Sequence, residues 1–216
     1  MALVIRTWNL FHGKPHPAGR RAYLRQMIEL ITRDKPDIVC LQELPVWALR
    51  HLRKWSGMHA VGAVARRPRL PIGARPITAL HHGRLHAAVT GEADAILTQR
   101  PPADLGATVV GEKNLRRIAH AVDLDGVTVV NFHIDGDPGQ LDRALALAGQ
   151  RGVVAGDTNL RGRAVRGFSA PLAGSIDQIY VCGLTVLEQP HAWPVERRTF
   201  DRHVLSDHAP VEAVVE

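Results

Sequence analysis

Short apolar runs that end in polar residues recur along this chain. In VVAGDTNL, Val153 to Leu160, three apolar residues typical of a core strand lead into Gly-Asp-Thr-Asn. We predict strands in the similar runs ALVIRTWNL, DIVCLQEL, ADAILTQ, SIDQIYV, LTVLEQ and APVEAVV. In RIAHAVDLDGVTVVNFH two alternating runs flank Asp125 and Gly126, which predicts a hairpin with a tight turn.

Other segments have helical spacing or helix-start signals. GRRAYLRQMIELITRD is amphipathic, PVWALRHLRKW carries Pro45 at its start, and DPGQLDRALALAGQ has Asp137 and Pro138 placed as N-cap and first helical residue. The Pro- and Arg-rich stretch from Arg66 to Pro76 is predicted to be a loop. Strands and hairpins mixed with a few helices indicate packed sheets flanked by helices, an α/β sandwich that forms one domain over residues 1–216.

The composition is that of a globular protein. Hydrophobic residues make up 45% of the 216 residues, enough for a sizeable core. The opening MALVIRTWNL has too short an apolar run for a signal peptide, and no window is apolar over the length that a bilayer requires. We therefore expect a cytoplasmic monomer with no membrane partner. Cys40 and Cys182 lie in apolar, strand-like surroundings and are predicted to be free thiols rather than a disulfide.

Positive charge is in excess and unevenly distributed. The formal net charge is +6 at pH 7, which favours polyanionic partners. No acidic residue lies between Glu43 and Glu92, and the basic side chains of that interval are Arg50, Arg53, Lys54, Arg66, Arg67, Arg69, Arg75 and Arg84. A second basic cluster, RGRAVRG, directly follows the Gly-Asp-Thr-Asn stretch. Either cluster alone is equally well explained as a solvated basic surface, but the position of the second one beside a candidate site favours a binding role.

The predicted strands carry, at their ends, residues suited to metal or phosphate chemistry. These residues are Asn9, Glu43, His133, Asp157, Asn159, Asp177, Asp207 and His208. Each one alone is explained by a turn, a cap or a half-buried histidine, and Asp and Asn are common turn residues. With strand alternation, Asp157 and Asn159 would instead point to one side. The recurrence of such residues at strand ends indicates one functional site.

Seven motifs follow one another along nearly the whole chain: TWNL, DIVCLQEL, ADAILTQRPP, VVNFHID, VAGDTN, SIDQIYV and LSDHAPV. Taken in this order, they resemble the endonuclease/exonuclease/phosphatase superfamily. That superfamily includes pancreatic deoxyribonuclease, abasic-site endonucleases, sphingomyelinases, inositol polyphosphate phosphatases and deadenylases. The resemblance implies a four-layer α/β/β/α sandwich of two packed, mainly antiparallel sheets. It also implies hydrolysis of phosphate esters with a divalent metal.

The resemblance implies a metal site formed by Glu43 as the principal carboxylate ligand, with Asn9 and Asp207 beside it. Such oxygen ligands suit a hard ion, Mg²⁺ or Mn²⁺. Hydrolysis of an anionic phosphodiester needs positive charge at its non-bridging oxygens, an oriented water and stabilisation of the leaving oxygen.

The resemblance also implies a catalytic set. Asp157 would orient or deprotonate the attacking water, and Asn159 would hold a phosphate oxygen. His133 stands at the place of the family's catalytic histidine, which other branches replace by tyrosine. Asp177 would fix the tautomer of His208 and favour its charged form, and the protonated histidine would donate to the scissile phosphate.

A weakly sequence-selective nuclease is the function we expect, because arginines next to the site would contact backbone phosphates. The residues predicted to bind substrate are Arg161, Arg163, Arg166 and His12. Gly156 is expected to let the chain turn so that the Asp and Asn after it face one phosphate. A phosphatase or phosphodiesterase acting on a small phosphorylated molecule or a lipid headgroup is the alternative.

Some positions depart from the family's patterns, and some features permit other functions. Phe11 stands where abasic-site endonucleases carry an acid, and Thr158 stands where an aromatic residue is common. A serine hydrolase is disfavoured because Ser206 lacks the Gly-x-Ser-x-Gly context. A zinc site would have to use the histidines of HHGRLH (His81, His82, His86) or HGKPH (His12, His16), which have no cysteine partners. A non-catalytic nucleic-acid-binding module would explain the basic clusters but not the carboxylates.

Overall fold

The computed structural model describes residues 2–17, 21–69, 89–113 and 115–216. The strands are β1 (Leu3–Asn9), β2 (Pro15–His16), β3 (Ile38–Leu44), β4 (His59–Arg66), β5 (Glu92–Thr98), β6 (Ala103–Gly111), β7 (Arg117–Leu124), β8 (Val127–His133), β9 (Gly152–Asp157), β10 (Asp177–Cys182), β11 (Val186–Ala192), β12 (Thr199–Phe200), β13 (His203–Leu205) and β14 (Val211–Val215). The α-helices are α1 (Leu24–Thr32), α2 (Leu52–Ser56) and α3 (Pro138–Leu145).

Two large sheets carry most of the fold. The six-stranded sheet has the order β11-β14-β1-β3-β5-β4, and the five-stranded sheet has the order β10-β9-β8-β7-β6. Within these sheets only the pairs β1–β3 and β8–β9 are parallel. A small third sheet, β12-β13-β2, lies beside them. The prediction of mainly antiparallel sheets is confirmed.

Three hydrophobic layers separate the sheets and helices. Residues from the inner faces of both sheets fill the central layer; among them are Ile5, Ile38, Ile96, Val122, Val129, Val153 and Ile179. On the outer face of the six-stranded sheet, α1 buries Met27, Ile28 and Ile31. On the outer face of the five-stranded sheet, α3 buries Leu141 and Ala144. Burial of these apolar side chains supplies the main driving force for the arrangement, and the predicted four-layer sandwich is confirmed.

Local signals in the sequence account for several element boundaries. Asp125 and Gly126 both have positive φ, as the tight hairpin turn between β7 and β8 requires. The side chain of Asp137 accepts a hydrogen bond of 2.8 Å from the backbone N–H of Gly139 and so caps α3. Cys40 and Cys182 are free and buried, as predicted.

Other predictions need correction. The helix predicted after Pro45 is a 3-10 helix, Val46–His51, followed by the short α2, which ends at Gly57 in the left-handed conformation. Arg66 is the last residue of β4 rather than part of a loop, while residues 70–76 of that predicted loop lie outside the described residues. The strands β4 and β6 and the small sheet were not predicted.

Gly156 lies inside β9 and does not turn the chain. A Cβ atom at this position would lie 1.9 Å from the carbonyl oxygen of Phe132 on the paired strand β8. Close approach of the two backbones is therefore the reason for glycine at this position.

The strand register gathers the polar strand ends at one edge of the molecule. Asn9 ends β1 opposite Gln42 of β3, and His133 ends β8 opposite Asp157 of β9. Asp177 pairs with Asp157 but begins its strand instead of ending it, because β10 is antiparallel to β9. The prediction that Asp177 ends a strand is therefore wrong, although its pairing with Asp157 puts it at the same edge.

The part of the chain that the structure describes contains no helix that is long and apolar enough to cross a membrane.

Candidate active site

A buried aspartate holds a histidine at the centre of this edge. Asp177 Oδ2 lies 2.9 Å from His208 Nδ1, and Asp157 Oδ2 lies 3.8 Å from the same nitrogen. Burial opposes the charge on His208, but the hydrogen bond and charge of Asp177, with the charges of Asp157 and Asp207, raise its pKa to about 9. Burial pushes the pKa of Asp177 upward. The proton of this pair nevertheless lies on His208 at neutral pH, because three carboxylates surround one imidazole.

The amide of Asn9 links two carboxylates from different sheets. Its Nδ2 donates to Asp157 Oδ2 at 3.0 Å and to Glu43 Oε1 at 3.2 Å, while its Oδ1 accepts from the backbone N–H of Phe11 at 3.0 Å. The amide nitrogen, and not the oxygen, thus faces the carboxylates. The assignment of Asn9 as a metal ligand remains a prediction.

A β-bulge aims Glu43 at the site. Leu41 pairs with Ala95 and Leu44 with Ala93, so β3 carries one extra residue relative to β5 at this point. Glu43 itself has φ of 53°, which is uncommon for a residue other than glycine. Burial raises the pKa of its carboxyl, and the charges of Glu92 and Asp157 act in the same direction.

Turn chemistry and site chemistry coincide at the end of β9. The backbone N–H of Asn159 donates to Asp157 Oδ1 at 2.9 Å, which is the local turn expected of Asp. Asn159 has φ of 49°, and its side-chain nitrogen donates to the carbonyl of Ile134 at 2.8 Å and lies 3.5 Å from His133 Nε2. Strand alternation does not extend past Asp157, yet both side chains border the same site.

His133 is buried inside a network that no sequence motif indicated. Its Nδ1 lies 3.4 Å from Glu92 Oε1 and 3.1 Å from a guanidinium nitrogen of Arg117, and its Nε2 lies 3.6 Å from Asp157 Oδ2. Burial opposes its charge, but Glu92 and Asp157 raise the pKa of His133 to about 9. Arg117 also contacts Asp135 at 2.6 Å. Glu92 could have been found, because it is a carboxylate directly before the predicted strand ADAILTQ.

The loop before β14 carries His208 and is held by Ser206. The Ser206 hydroxyl donates to the carbonyl of Asn9 at 2.7 Å and accepts from the backbone N–H of His208 at 3.1 Å. Trp8 Nε1 donates to the carbonyl of His208 at 2.9 Å. Asp207, which lies between Ser206 and His208 in the sequence, is exposed, and its Oδ1 lies 4.0 Å from His208 Nε2. Its role as a metal ligand remains a prediction.

The predicted substrate-binding residues fall into different environments. His12 is buried, with Nε2 at 3.7 Å from Glu43 Oε2. Arg161 and Arg166 are exposed and form no ion pair among the described residues. Arg163 instead binds Asp142 Oδ1 and the carbonyl of Pro138, each at 3.0 Å. Arg163 therefore differs from Arg161 and Arg166 in having a carboxylate partner within the described residues. Outside the described residues lie Arg75, His81, His82, Arg84 and His86.

The donor set fits a hard divalent ion. One ligand atom from each of Asp157, Asp177 and His208 lies within 4.8 Å of the other two, so this group could hold a metal. A ligating histidine must be neutral, so a metal held by this group would have to displace the proton that Asp177 favours on His208. The carboxylates of Glu43 and Asp157, which share the Asn9 amide, also offer oxygen atoms near a cation, and a cation would relieve their mutual repulsion.

Comparison with known proteins identifies the family of this chain. Residues 7–208 match the model of the Endonuclease/Exonuclease/phosphatase family. This chain belongs to that family. No curated protein sequence matches the chain. Members of the family are generally divalent-metal-dependent phosphoesterases, and the specific branch is not identified by the match.

Several solved structures share the family fold. An endonuclease/exonuclease/phosphatase from Beutenbergia cavernae has a TM-score of 0.69 at 19% identity, over 100% of this chain and 71% of that one. A functionally unknown conserved protein from Enterococcus faecalis has a TM-score of 0.68 at 18% identity, over 99% of each chain. D. rerio TDP2, humanised by 14 mutations, has a TM-score of 0.65 at 15% identity, over 100% of this chain and 99% of that one. At these identities the likeness concerns the fold alone.

Proposed function

We propose that this endonuclease/exonuclease/phosphatase-family protein hydrolyses phosphodiester bonds with a divalent metal and that its substrate is nucleic acid. The observation that carries the proposal is the His208–Asp177 pair beside Asp157 and Glu43. In this arrangement the His208 imidazolium, the buried carboxylate of Asp157 and the half-buried carboxylate of Glu43 lie at one edge of the two sheets. Family membership supports the phosphoester chemistry.

Asp157 is the proposed acceptor of a proton from the attacking water. Its Oδ1 accepts from the backbone of Asn159 and its Oδ2 from Asn9, so the carboxylate is held in one orientation. A base held in this way loses little entropy when it reacts. Asn159 is exposed next to it and is the proposed contact to a phosphate oxygen.

Two imidazolium groups would face the developing negative charge. His208 is held by Asp177, and its Nε2 is free of the pair and placed to donate to the scissile phosphate. The charged His133 would donate from Nδ1 to Glu92, which also binds Arg117, and its Nε2 lies toward Asp157 and Glu43. Donors fixed before the reaction stabilise the transition state more than the free substrate.

Mg²⁺ or Mn²⁺, held by Glu43 with Asn9 and Asp207, would supply the positive charge that polarises the phosphate when it is bound. The carboxylate oxygens of Glu43 and Asp207 suit this ion, whereas Asn9 would ligate it only with its amide turned so that Oδ1 faces the carboxylates. The charges on Glu43 and Asp157, which repel each other, would then be offset.

The charge distribution supports nucleic acid as the substrate. Arg161 and Arg166 are exposed on the loop that follows Asn159, and the chain has a net charge of +6. Contacts to backbone phosphates carry no sequence information, so cleavage is expected to be weakly selective. The pairing of Arg163 with Asp142 leaves only Arg161 and Arg166 of this loop's three arginines to contact phosphates. A small phosphorylated molecule needs fewer such contacts and is therefore the second candidate.

One purified sample tests the proposal. Hydrolysis of bis-p-nitrophenyl phosphate, duplex DNA, single-stranded DNA, RNA, inositol phosphates and sphingomyelin is measured with Mg²⁺, with Mn²⁺ and with excess chelator. We expect metal-dependent hydrolysis with polynucleotides preferred, and a loss of roughly a hundredfold or more in Asp157→Asn. Full activity in chelator would refute the metal assignment. A better rate on inositol phosphates or sphingomyelin would replace nucleic acid by the second candidate.

A further inference from the structure

We propose that Arg198 is a positioning residue that holds the loop carrying His208 in its catalytic geometry. The inference rests on the function proposed above, since it concerns the histidine assigned there to the phosphate. Arg198 is the last residue of a 3-10 helix, Val195–Arg198, that follows β11 and lies outside every motif recognised in the sequence.

One nitrogen of the Arg198 guanidinium contacts three carbonyl oxygens of the loop backbone. Its Nη1 lies 3.1 Å from the carbonyl oxygen of Leu205, 2.9 Å from that of Ser206 and 3.2 Å from that of His208. The carbonyl of His208 thereby has two donors, since Trp8 Nε1 also binds it. The backbone of the catalytic histidine is thus fixed from two sides.

The loop needs such support because its backbone is strained. Ser206 has φ of 61°, a left-handed conformation that costs on the order of 1–3 kcal/mol in a residue other than glycine or asparagine. The Ser206 hydroxyl and its backbone N–H, which donates to the carbonyl of Lys14, hold one side of the turn. Arg198 supplies donors to the carbonyls on the other side. Without it, the carbonyls of Leu205 and Ser206 would lose their charged donor.

The charge of Arg198 also suits this place. Burial lowers the pKa of its guanidinium, and the charges of Asp207 and Asp177 oppose that shift. The arginine therefore lies near the carboxylates of the site while its hydrogen bonds go to backbone carbonyls. These hydrogen bonds to backbone carbonyls favour a positioning role over a direct phosphate contact. The two roles differ in kinetics, because the loss of a phosphate contact would act mainly on substrate affinity.

The test compares Arg198→Met with Arg198→Lys, and Arg202→Met is the matched control. Arg202 is exposed and forms no ion pair in the described part of the chain, so its replacement removes the same charge nearby. On bis-p-nitrophenyl phosphate and on DNA alike, we expect kcat of Arg198→Met to fall roughly a hundredfold with KM nearly unchanged, the scale of a misplaced catalytic group. Lysine keeps three donors, so Arg198→Lys should recover about tenfold of that loss.

A second readout needs neither substrate nor metal. In the metal-free protein, the NMR resonance of the His208 Nδ1 proton reports its hydrogen bond to Asp177. We expect it to be lost or shifted in Arg198→Met and kept in Arg198→Lys and Arg202→Met. If Arg198→Met does not fold, Arg198→Lys decides: a kcat roughly tenfold below that of the unaltered protein at nearly unchanged KM supports the inference, and a normal kcat overturns it.

The remaining outcomes also decide the matter. Unchanged kcat in folded Arg198→Met overturns the inference, and so does a raised KM with normal kcat, which would mark Arg198 as a phosphate contact. A fall in kcat with an unchanged His208 resonance overturns it as well. If no phosphodiesterase activity exists, the resonance alone decides the positioning role, so failure of the proposed function is recognised separately.

Discussion

Replacing Asp177 by Asn should remove the charge that keeps His208 protonated at neutral pH. The two side chains meet at 2.9 Å, and Asn keeps the size of Asp and one oxygen that can accept from Nδ1. The variant therefore changes charge far more than shape. Asp157, at 3.8 Å from the same nitrogen, is the carboxylate that remains nearest to it.

The structure sets the magnitude. A rise in the pKa of His208 from 6.5 to about 9 corresponds to about 3 kcal/mol in favour of its charged form. Burial acts against this charge, so without Asp177 the pKa of His208 should fall back toward its ordinary value. A raised histidine pKa stabilises the fold fully below pH 6.5, and this contribution is lost as pH rises through about 9.

Two measurements on the metal-free protein check this prediction. NMR titration of the His208 ring gives its pKa, and urea unfolding at pH 6 and above pH 9 gives the stability. Asp177→Asn should lose at most about 3 kcal/mol at pH 6, because removing a buried carboxylate also removes its desolvation cost, and less at the higher pH.

Asp104→Asn is the matched control, since Asp104 holds His120 at 2.9 Å in another part of the molecule. It should leave the pKa of His208 unchanged. A His208 pKa that stays near 9 in Asp177→Asn would refute the role of Asp177 in holding the charge on this histidine.

Two further predictions concern substrate binding and packing. Replacing Arg161 and Arg166 together by Ala should raise KM on DNA. The slope of log KM against log salt concentration should fall by roughly 0.7 to 0.9 for each phosphate that the protein no longer contacts. Arg163→Ala should change neither value, and equal salt slopes in the two variants would contradict this prediction. Gly156→Ala should cost about 3 kcal/mol or more in urea unfolding, because its Cβ would lie 1.9 Å from the carbonyl oxygen of Phe132. A loss below about 1 kcal/mol would show that β8 and β9 can move apart.

Apolar runs with polar ends were sufficient to predict most strands of the two large sheets, and Asp137 with Pro138 predicted the start of α3. The hairpin at Asp125 and Gly126 and the strand that ends at Asp157 follow from local preferences, which the tertiary structure did not override. The strands β4 and β6 escaped prediction for a physical reason. Their sequences, HAVGAVAR and ADLGATVVG, are rich in Ala and Gly, and most residues of β6 are exposed, so neither shows a clear apolar face.

The sequence therefore determined which polar residues lie at the strand ends. The pairing of the strands in the sheets determined which of these side chains contact one another. Nothing local indicates that Glu43 turns toward Asn9, because the bulge that aims it depends on how β3 pairs with β5. Nothing local indicates that Glu92 and Arg117 meet at His133, or that Arg198 holds the carbonyls before His208. These contacts join residues that are distant or unpatterned in the chain, and only strand register and packing bring their atoms within hydrogen-bonding distance.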